Sequence, residues 1–268
     1  MGIWTMSQRP VVLITGGGGG IGRACAARLA LTHNVVIADV NVDAMVEIAD
    51  GLVAIGVACD VSSEESVAAC QARVEADIGP ISALVTLAGI IQERHFPPES
   101  FAQFDWDRVL DINAKGTWIC CRLIGGRMAA RGRGSIVTVS SVAGHRSWPT
   151  HAYGPSKAAV MSITRNLAAE WGRSGVRVNS VSPGFTRTRR MDELERTRGV
   201  ANNRSIDQTA LGRWIRPEEI AAAIAFLISD DASAITGVDL PVDAGWLCGV
   251  NWSGVGSGKV PSPRGDET

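Results

Sequence analysis

Tyr153 and Lys157 stand four residues apart in Ala152-Tyr153-Gly154-Pro155-Ser156-Lys157, a stretch whose pattern predicts a helix running to about Trp171. Positions four apart share a helix face, so the phenol and the ammonium can converge on one point. A free tyrosine, with a pKa of about 10, is a poor base at neutral pH. An ammonium close by favours the phenolate and lowers that value. The pair is therefore suited to exchange a proton with a substrate hydroxyl or carbonyl. Chance is a poor account of the spacing, because the chain has 1 Tyr and its lysines are Lys115, Lys157 and Lys259 alone. Arginine, used almost everywhere else, would bring a fork rather than a compact charge.

A second stretch offers phosphate chemistry. Gly16-Gly17-Gly18-Gly19-Gly20-Ile21-Gly22 joins the apolar run Val11-Val12-Leu13-Ile14-Thr15 to a helical pattern. A phosphate can lie against the N–H groups of such a helix start only where no Cβ intervenes. A flexible linker would not sit between a buried strand and a good helix. A nucleotide-triphosphate loop is disfavoured, since no Lys-Ser/Thr follows the last glycine. Asp39 ends the next apolar run, about 20 residues on, where a carboxylate can bind the adenosine ribose hydroxyls. Its charge would repel a 2′-phosphate, and no Arg or Lys follows it directly. NAD is expected over NADP.

These groups need a scaffold, and the chain alternates strand-like and helix-like segments from its start. Strands are expected at 11–15, 35–38, 52–58, 81–87, 135–139, 176–181 and 238–242, as short apolar runs of the kind buried on both faces. Helices are expected at 21–31, from about Val42, at 64–77, 104–130, 153–171 and 217–229. Ser62-Ser63-Glu64-Glu65 reads as a cap with an acidic first turn, and Pro217 as a first-turn proline. Repeated βα units imply an α/β fold: a Rossmann-like, doubly wound parallel sheet of about seven strands flanked by helices. Residues 9–250 form one domain in this reading, with a substrate loop at about 186–216. Residues 1–8 form a short disordered lead, and the Gly/Ser/Pro-rich 251–268 a disordered tail.

Composition excludes other classes. With 268 residues and a net charge of −1, the chain gives no electrostatic support for binding nucleic acid or a membrane surface. It has no uncharged apolar run of about 18 residues and no apolar core of signal-peptide length near its start. Its 6 cysteines form no C-x-x-C pair, which fits buried free thiols in a reducing cytoplasm. The 4 histidines lack metal-ligand spacing, so no metal site is expected.

Taken together, residues 9–247 resemble a short-chain dehydrogenase/reductase. Thr15-Gly16-x-x-x-Gly20-Ile21-Gly22 matches the family's glycine loop, and Asp60-Val61 its adenine-contacting pair. Asn113, in Asp111-Ile112-Asn113-Ala114, matches the Asn of the long fourth helix. Ser140-Ser141-Val142-Ala143-Gly144 matches the serine strand end, Tyr153-x-x-x-Lys157 the acid/base pair, and Pro183-Gly184 with Thr188 the nicotinamide-side loop. Leu240-Pro241-Val242-Asp243-Ala244-Gly245 resembles the last strand. The resemblance implies that Tyr153 exchanges the proton, Lys157 lowers its pKa and holds the nicotinamide ribose, a serine positions the substrate oxygen, and Asn113 anchors a relay water. It also implies a homotetramer or homodimer through the helices at 104–130 and 153–171. Trp118, Ile119, Met161, Ile163, Leu167 and Trp171 there add apolar surface beyond what one sheet face needs.

Two departures stand out. The family's N-N-A-G is Thr86-Leu87-Ala88-Gly89 here, which loses side chains that brace the sheet but leaves Ala88-Gly89 backbone for a cofactor. The usual serine-to-tyrosine spacing selects Ser140, whereas the strand end selects Ser141. A loop absorbs a deletion more easily than a strand absorbs a register slip, which favours Ser141.

The implied activity is NAD-dependent hydride transfer between a small secondary alcohol and its ketone, with polyol, sugar or hydroxy-acid substrates favoured. A 3-oxoacyl-carrier-protein reductase is the alternative enzyme, and a non-catalytic NAD(H)-binding sensor or scaffold the alternative of another class. Three loops should set specificity. They contribute Arg94 and His95, then His145, Arg146, Trp148 and His151, then Arg187, Arg189 and Arg190. These could form a polar pocket, but an ordinary solvated lid is the favoured reading.

Overall fold

The computed structural model describes residues 9–41, 45, 54–91, 97–198 and 206–249. Seven strands form one sheet: β1 Val11–Thr15, β2 Asn34–Asp39, β3 Ala54–Ala58, β4 Ile81–Thr86, β5 Gly134–Val139, β6 Val176–Pro183 and β7 Asp239–Val242. Their order is β3-β2-β1-β4-β5-β6-β7, with every pair parallel. Among the described residues the helices are α1 Gly20–Leu29, α2 Glu64–Asp77, α3 over 103–130, α4 Tyr153–Trp171, α5 Arg189–Arg198 and α6 Pro217–Ile228. This is the doubly wound arrangement expected from the βα alternation. The helix read from Val42, the first residues of the strand read from Leu52, the lead 1–8 and the tail 251–268 lie outside the described residues, save the helical Met45.

The strands are apolar throughout because both of their faces are covered. Successive side chains alternate between faces, so Val11 and Leu13 meet α2, α3 and α4, while Val12 and Ile14 meet α1 and α6. Val67, Ile124, Met128 and Leu167 fill the first layer, and Leu29, Ile220, Ile224 and Leu227 the second. Helix starts follow the expected signals. The Ser63 hydroxyl accepts the Ser66 N–H at 3.2 Å, and Glu219 accepts the Arg216 N–H at 2.8 Å beneath Pro217.

Several expectations are corrected. The helix over 103–130 is interrupted by π turns at Asp111–Lys115 and Cys121–Gly125. The polar stretch before Arg216 contains α5. Of the six residues read as surplus apolar surface, Ile119, Met161 and Leu167 are buried in the chain's own core. Trp171 packs so closely on Gly125 that a Cβ there would lie 2.3 Å from its ring. Only Trp118, 42% exposed, is plainly outward. Where the family has its bracing asparagine, Thr86 sits beside Thr15 across β1 and β4, and both buried hydroxyls lack a partner among the described residues. Cys25, Cys59, Cys70, Cys120 and Cys121 are buried and Cys248 exposed, all as free thiols. Among the described residues no helix is long and apolar enough to cross a membrane.

Candidate active site

The strand order reverses between β1 and β4, and open α/β sheets bind ligands at that switch point, outside the carboxyl ends of the strands. The glycine turn follows β1 there, with Ala88-Gly89 after β4, Ser141 after β5 and Pro183-Gly184 closing β6. Gly16 has φ +68°, and a Cβ on it would lie 2.4 Å from the Ala88 backbone. A Cβ on Gly22 would lie 2.5 Å from the Gly17 backbone. Both positions therefore require glycine for close approach.

The outer side of the turn is open by contrast. α1 begins at Gly20 with no side-chain cap on its N–H groups, and Ile21 is half-buried. Thr188 stands opposite, its Cβ 3.2 Å from the position a Gly20 Cβ would take, and its hydroxyl accepts the Met191 N–H at the start of α5. Uncapped donors at a helix start with no Cβ at Gly19 or Gly20, and Thr188 standing opposite, fit the phosphates of a dinucleotide.

Asp39 ends β2 with its carboxylate turned toward the turn. One oxygen accepts the Gly18 N–H at 2.9 Å and the other the Asn41 N–H at 3.0 Å. The group therefore shapes the glycine turn as well as presenting charge beside it. Asp60 is exposed and accepts the Ser62 N–H and hydroxyl at 2.9 and 2.7 Å, while Val61 is buried against Gly116. Gly184 donates to the Val242 carbonyl at 3.0 Å, and Pro183 is buried.

Tyr153 opens α4 half-buried, with its hydroxyl hydrogen-bonded to the Ser141 side chain. Ser141, in extended backbone, also accepts the Ala143 N–H at 3.2 Å. Ser140 points elsewhere and donates to the Lys157 carbonyl at 2.8 Å. Geometry thus brings Ser141, not Ser140, to the phenol. Ser141→Ala is expected to lower kcat/KM about tenfold, the worth of one neutral hydrogen bond to the reacting oxygen. Ser140→Ala is expected to alter thermal stability more than turnover. Steady-state rates and melting curves on both variants check this, and a larger rate loss in Ser140→Ala would reverse the assignment.

Lys157 is 4% exposed, and its Nζ donates to the Val139 carbonyl at 2.8 Å while lying 5.7 Å from the Tyr153 ring centroid. Burial pushes its pKa down to about 8. The expected lowering of the tyrosine pKa is not what the structure holds. Burial disfavours the phenolate and raises Tyr153 overall, with the Ser141 hydrogen bond as the opposing influence. The ammonium faces the ring and the Val139 carbonyl, and charge placed there does not offset the desolvation.

Asn113 lies in the first π turn of α3, fully buried. Its amide donates to the Ile90 carbonyl at 2.9 Å and the Ser156 hydroxyl at 3.0 Å, and accepts the Ile90 N–H at 2.8 Å. A Cβ on Gly89 would press on both Asn113 and Lys157, at 3.2 and 3.4 Å. Ser156 was missed by sequence reasoning. Its hydroxyl donates to the Tyr153 carbonyl at 2.7 Å and so links Asn113 to the first turn of α4. Its place three residues after Tyr153 was the available signal.

The substrate-side charges do not gather into one polar pocket among the described residues. His145 contacts Asp239 at 2.8 Å, Arg146 stacks on Trp246, and Arg187 pairs with Asp192. His151 meets Phe101 edge-on and Arg189 is exposed. Arg94, His95 and the Arg190 side chain lie outside what is described.

Residues 17–247 match a family model described as enoyl-(acyl carrier protein) reductase. D-threitol dehydrogenase of Mycolicibacterium smegmatis is 40% identical over 247 residues, 88% of this chain and 92% of the relative. Galactitol 2-dehydrogenase of Rhizobium johnstonii is 36% identical over 252 residues, 88% of this chain and 94% of the relative. A crystal structure of ribose-5-phosphate isomerase from Brucella melitensis 16M superposes with TM-score 0.88 at 45% identity, covering 92% of this chain and 96% of that one. A variant of actinorhodin polyketide ketoreductase with NADPH superposes with TM-score 0.82 at 29% identity, covering 89% and 97%.

Proposed function

Because the chain belongs to the short-chain dehydrogenase/reductase family, we propose that it is an NAD-dependent oxidoreductase moving hydride between a secondary alcohol and its ketone. Polyols, sugars and hydroxy acids are the favoured substrates. One juxtaposition carries the reading: the hydrogen-bonded Ser141–Tyr153 pair stands beside buried Lys157 at the sheet edge that also holds the glycine turn. The relatives that act on threitol and galactitol support the substrate class.

The nicotinamide supplies the hydride acceptor, while the protein supplies orientation and a tuned acid/base. Tyr153 takes the proton from the substrate hydroxyl, or returns it to the ketone. Ser141 donates a hydrogen bond that steadies the same oxygen. Lys157 holds the nicotinamide ribose, and Asn113 fixes the water that passes the proton outward. Gly16, Gly20, Ile21, Gly22, Ala88, Gly89, Pro183, Gly184 and Thr188 frame the dinucleotide, with Asp60 and Val61 at the adenine. Asp39 selects NAD by repelling a 2′-phosphate, although one structural neighbour carries NADPH. An isomerase reading, prompted by another neighbour, would use the glycine turn for a single phosphate and need Asp39 only for its bonds to Gly18 and Asn41. The protein is further read as a cytoplasmic homotetramer or homodimer, to which the exposed Trp118 on α3 lends support.

Nicotinamide reduction by the purified protein tests the proposal, across polyols, sugars, hydroxy acids and hydroxysteroids with NAD and NADP separately. Turnover with NAD on a polyol or sugar is expected. NADP preference would remove the role given to Asp39. NADH binding without turnover of any alcohol would favour the sensor reading.

A further inference from the structure

Tyr153 stands in the first turn of α4, and a first turn is where a helix is least secure. The N-cap residue, Ala152, brings no side-chain cap, and the turn carries no acidic residue. Contacts from other elements hold it instead. Gly154 lies against the Ala143 carbonyl, 3.0 Å from where its Cβ would stand, so the turn rests on the segment after Ser141. On the other side, the Ser156 hydroxyl donates to the Tyr153 carbonyl at 2.7 Å and accepts the Asn113 amide at 3.0 Å. Ser156 and Asn113 are both fully buried.

Asn113 carries the tie onward. Its amide accepts the Ile90 N–H at 2.8 Å and donates to the Ile90 carbonyl at 2.9 Å, and Ile90 directly follows Ala88-Gly89. Its backbone carbonyl accepts the Thr117 hydroxyl at 2.8 Å, within α3. Ile90, Asn113, Ser156 and Tyr153 thus form one hydrogen-bonded line, from the loop after β4 through α3 to the acid/base turn. Both amide hydrogens of Asn113 are used in it. A hydroxyl suits the junction because it accepts from the amide and donates to the carbonyl at once. Removing it would leave a buried donor and a buried acceptor short of a partner.

We propose that Ser156 is a positioning residue for the proton transfer, holding the Tyr153 turn in register with the cofactor loop through Asn113. This rests on the alcohol-oxidoreductase reading above and deepens it.

The test combines kinetics on galactitol and D-threitol, with NAD and with NADP, and a titration that needs no substrate. Ser156→Ala is expected to lower kcat about tenfold with both KM values within about twofold, since the tie matters when the proton moves. On an Asn113→Ala background the same change should cost less than about twofold, because the line is already cut. The chain has 1 Tyr, so isotope-labelled tyrosine gives one magnetic-resonance signal, and its pH titration reads Tyr153 directly. The Ser141 hydrogen bond lowers the Tyr153 pKa against the burial that raises it. Slackening the turn weakens that bond while the ring stays covered. The midpoint should therefore rise in Ser156→Ala, by up to about one pH unit. An unmoved or lowered midpoint overturns the proposal, even where the melting temperature falls. A kcat within twofold of wild type, or losses that multiply fully in the double variant, overturn it as well. Inertness of both alcohols in the wild-type protein counts against the alcohol reading, and the titration then decides the tie alone.

Discussion

Tyr153→Phe is expected to lower kcat for alcohol oxidation by at least about 10³-fold, within the range that a positioned general acid or base contributes. NADH affinity should stay within about twofold of wild type, since only the hydroxyl is removed. The variant should also fold normally. Ser141 keeps its bond from the Ala143 N–H, and Lys157 keeps its bond to the Val139 carbonyl. The wild-type pH profile should carry a matching signature. Oxidation needs the phenolate, and burial raises the Tyr153 pKa, so kcat should climb with pH into the alkaline range and lose that slope in the variant. Single-turnover rates beside NADH fluorescence titration measure both quantities. A residual rate within tenfold of wild type would take Tyr153 out of the chemistry.

Asp39→Ala is expected to move the kcat/KM ratio of NADP to NAD by about 100-fold toward NADP. A carboxylate a few ångströms from a phosphate is worth a few kcal/mol at the effective dielectric of a partly exposed site, and that repulsion disappears. The variant has a second effect, because the carboxylate also accepts the Gly18 and Asn41 N–H groups. Alanine leaves both donors without that acceptor and loosens the glycine turn, so affinity for both cofactors should fall. Asp39→Asn separates the two effects. Its amide oxygen can still accept from one N–H while the charge is gone, so discrimination should relax with a smaller loss of NAD affinity. An unchanged NADP-to-NAD ratio in both variants would show that selection lies elsewhere.

Much of this molecule is written in local patterns, and local patterns survive in sequence. Apolar runs such as Val11–Thr15, set off by helical stretches, were enough for a seven-stranded doubly wound sheet, because a strand covered on both faces must be apolar at every position. The glycine run and the Tyr-x-x-x-Lys spacing were legible for the same reason: each is a constraint imposed within one turn or one helix face.

Properties that depend on what lies across the fold were less legible. The strand-register argument favours Ser141 over Ser140 from the sequence, but the contacts that separate them, Ser140 to the Lys157 carbonyl and Ser141 to Tyr153, span 17 and 12 residues and are seen only in the fold. The direction of the tyrosine pKa was misjudged because helical spacing gives the lysine's position but not the burial of the phenol. The sequence favoured a solvated lid over a pocket for the loop charges but could not name their partners: His145 reaches Asp239, 94 residues on, and Arg146 reaches Trp246, 100 residues on. The sequence by itself determined the fold, the family and the inventory of reactive groups. Only tertiary packing decided which of those groups face one another and which are engaged by distant partners, because desolvation and pairing depend on neighbours in space rather than in the chain.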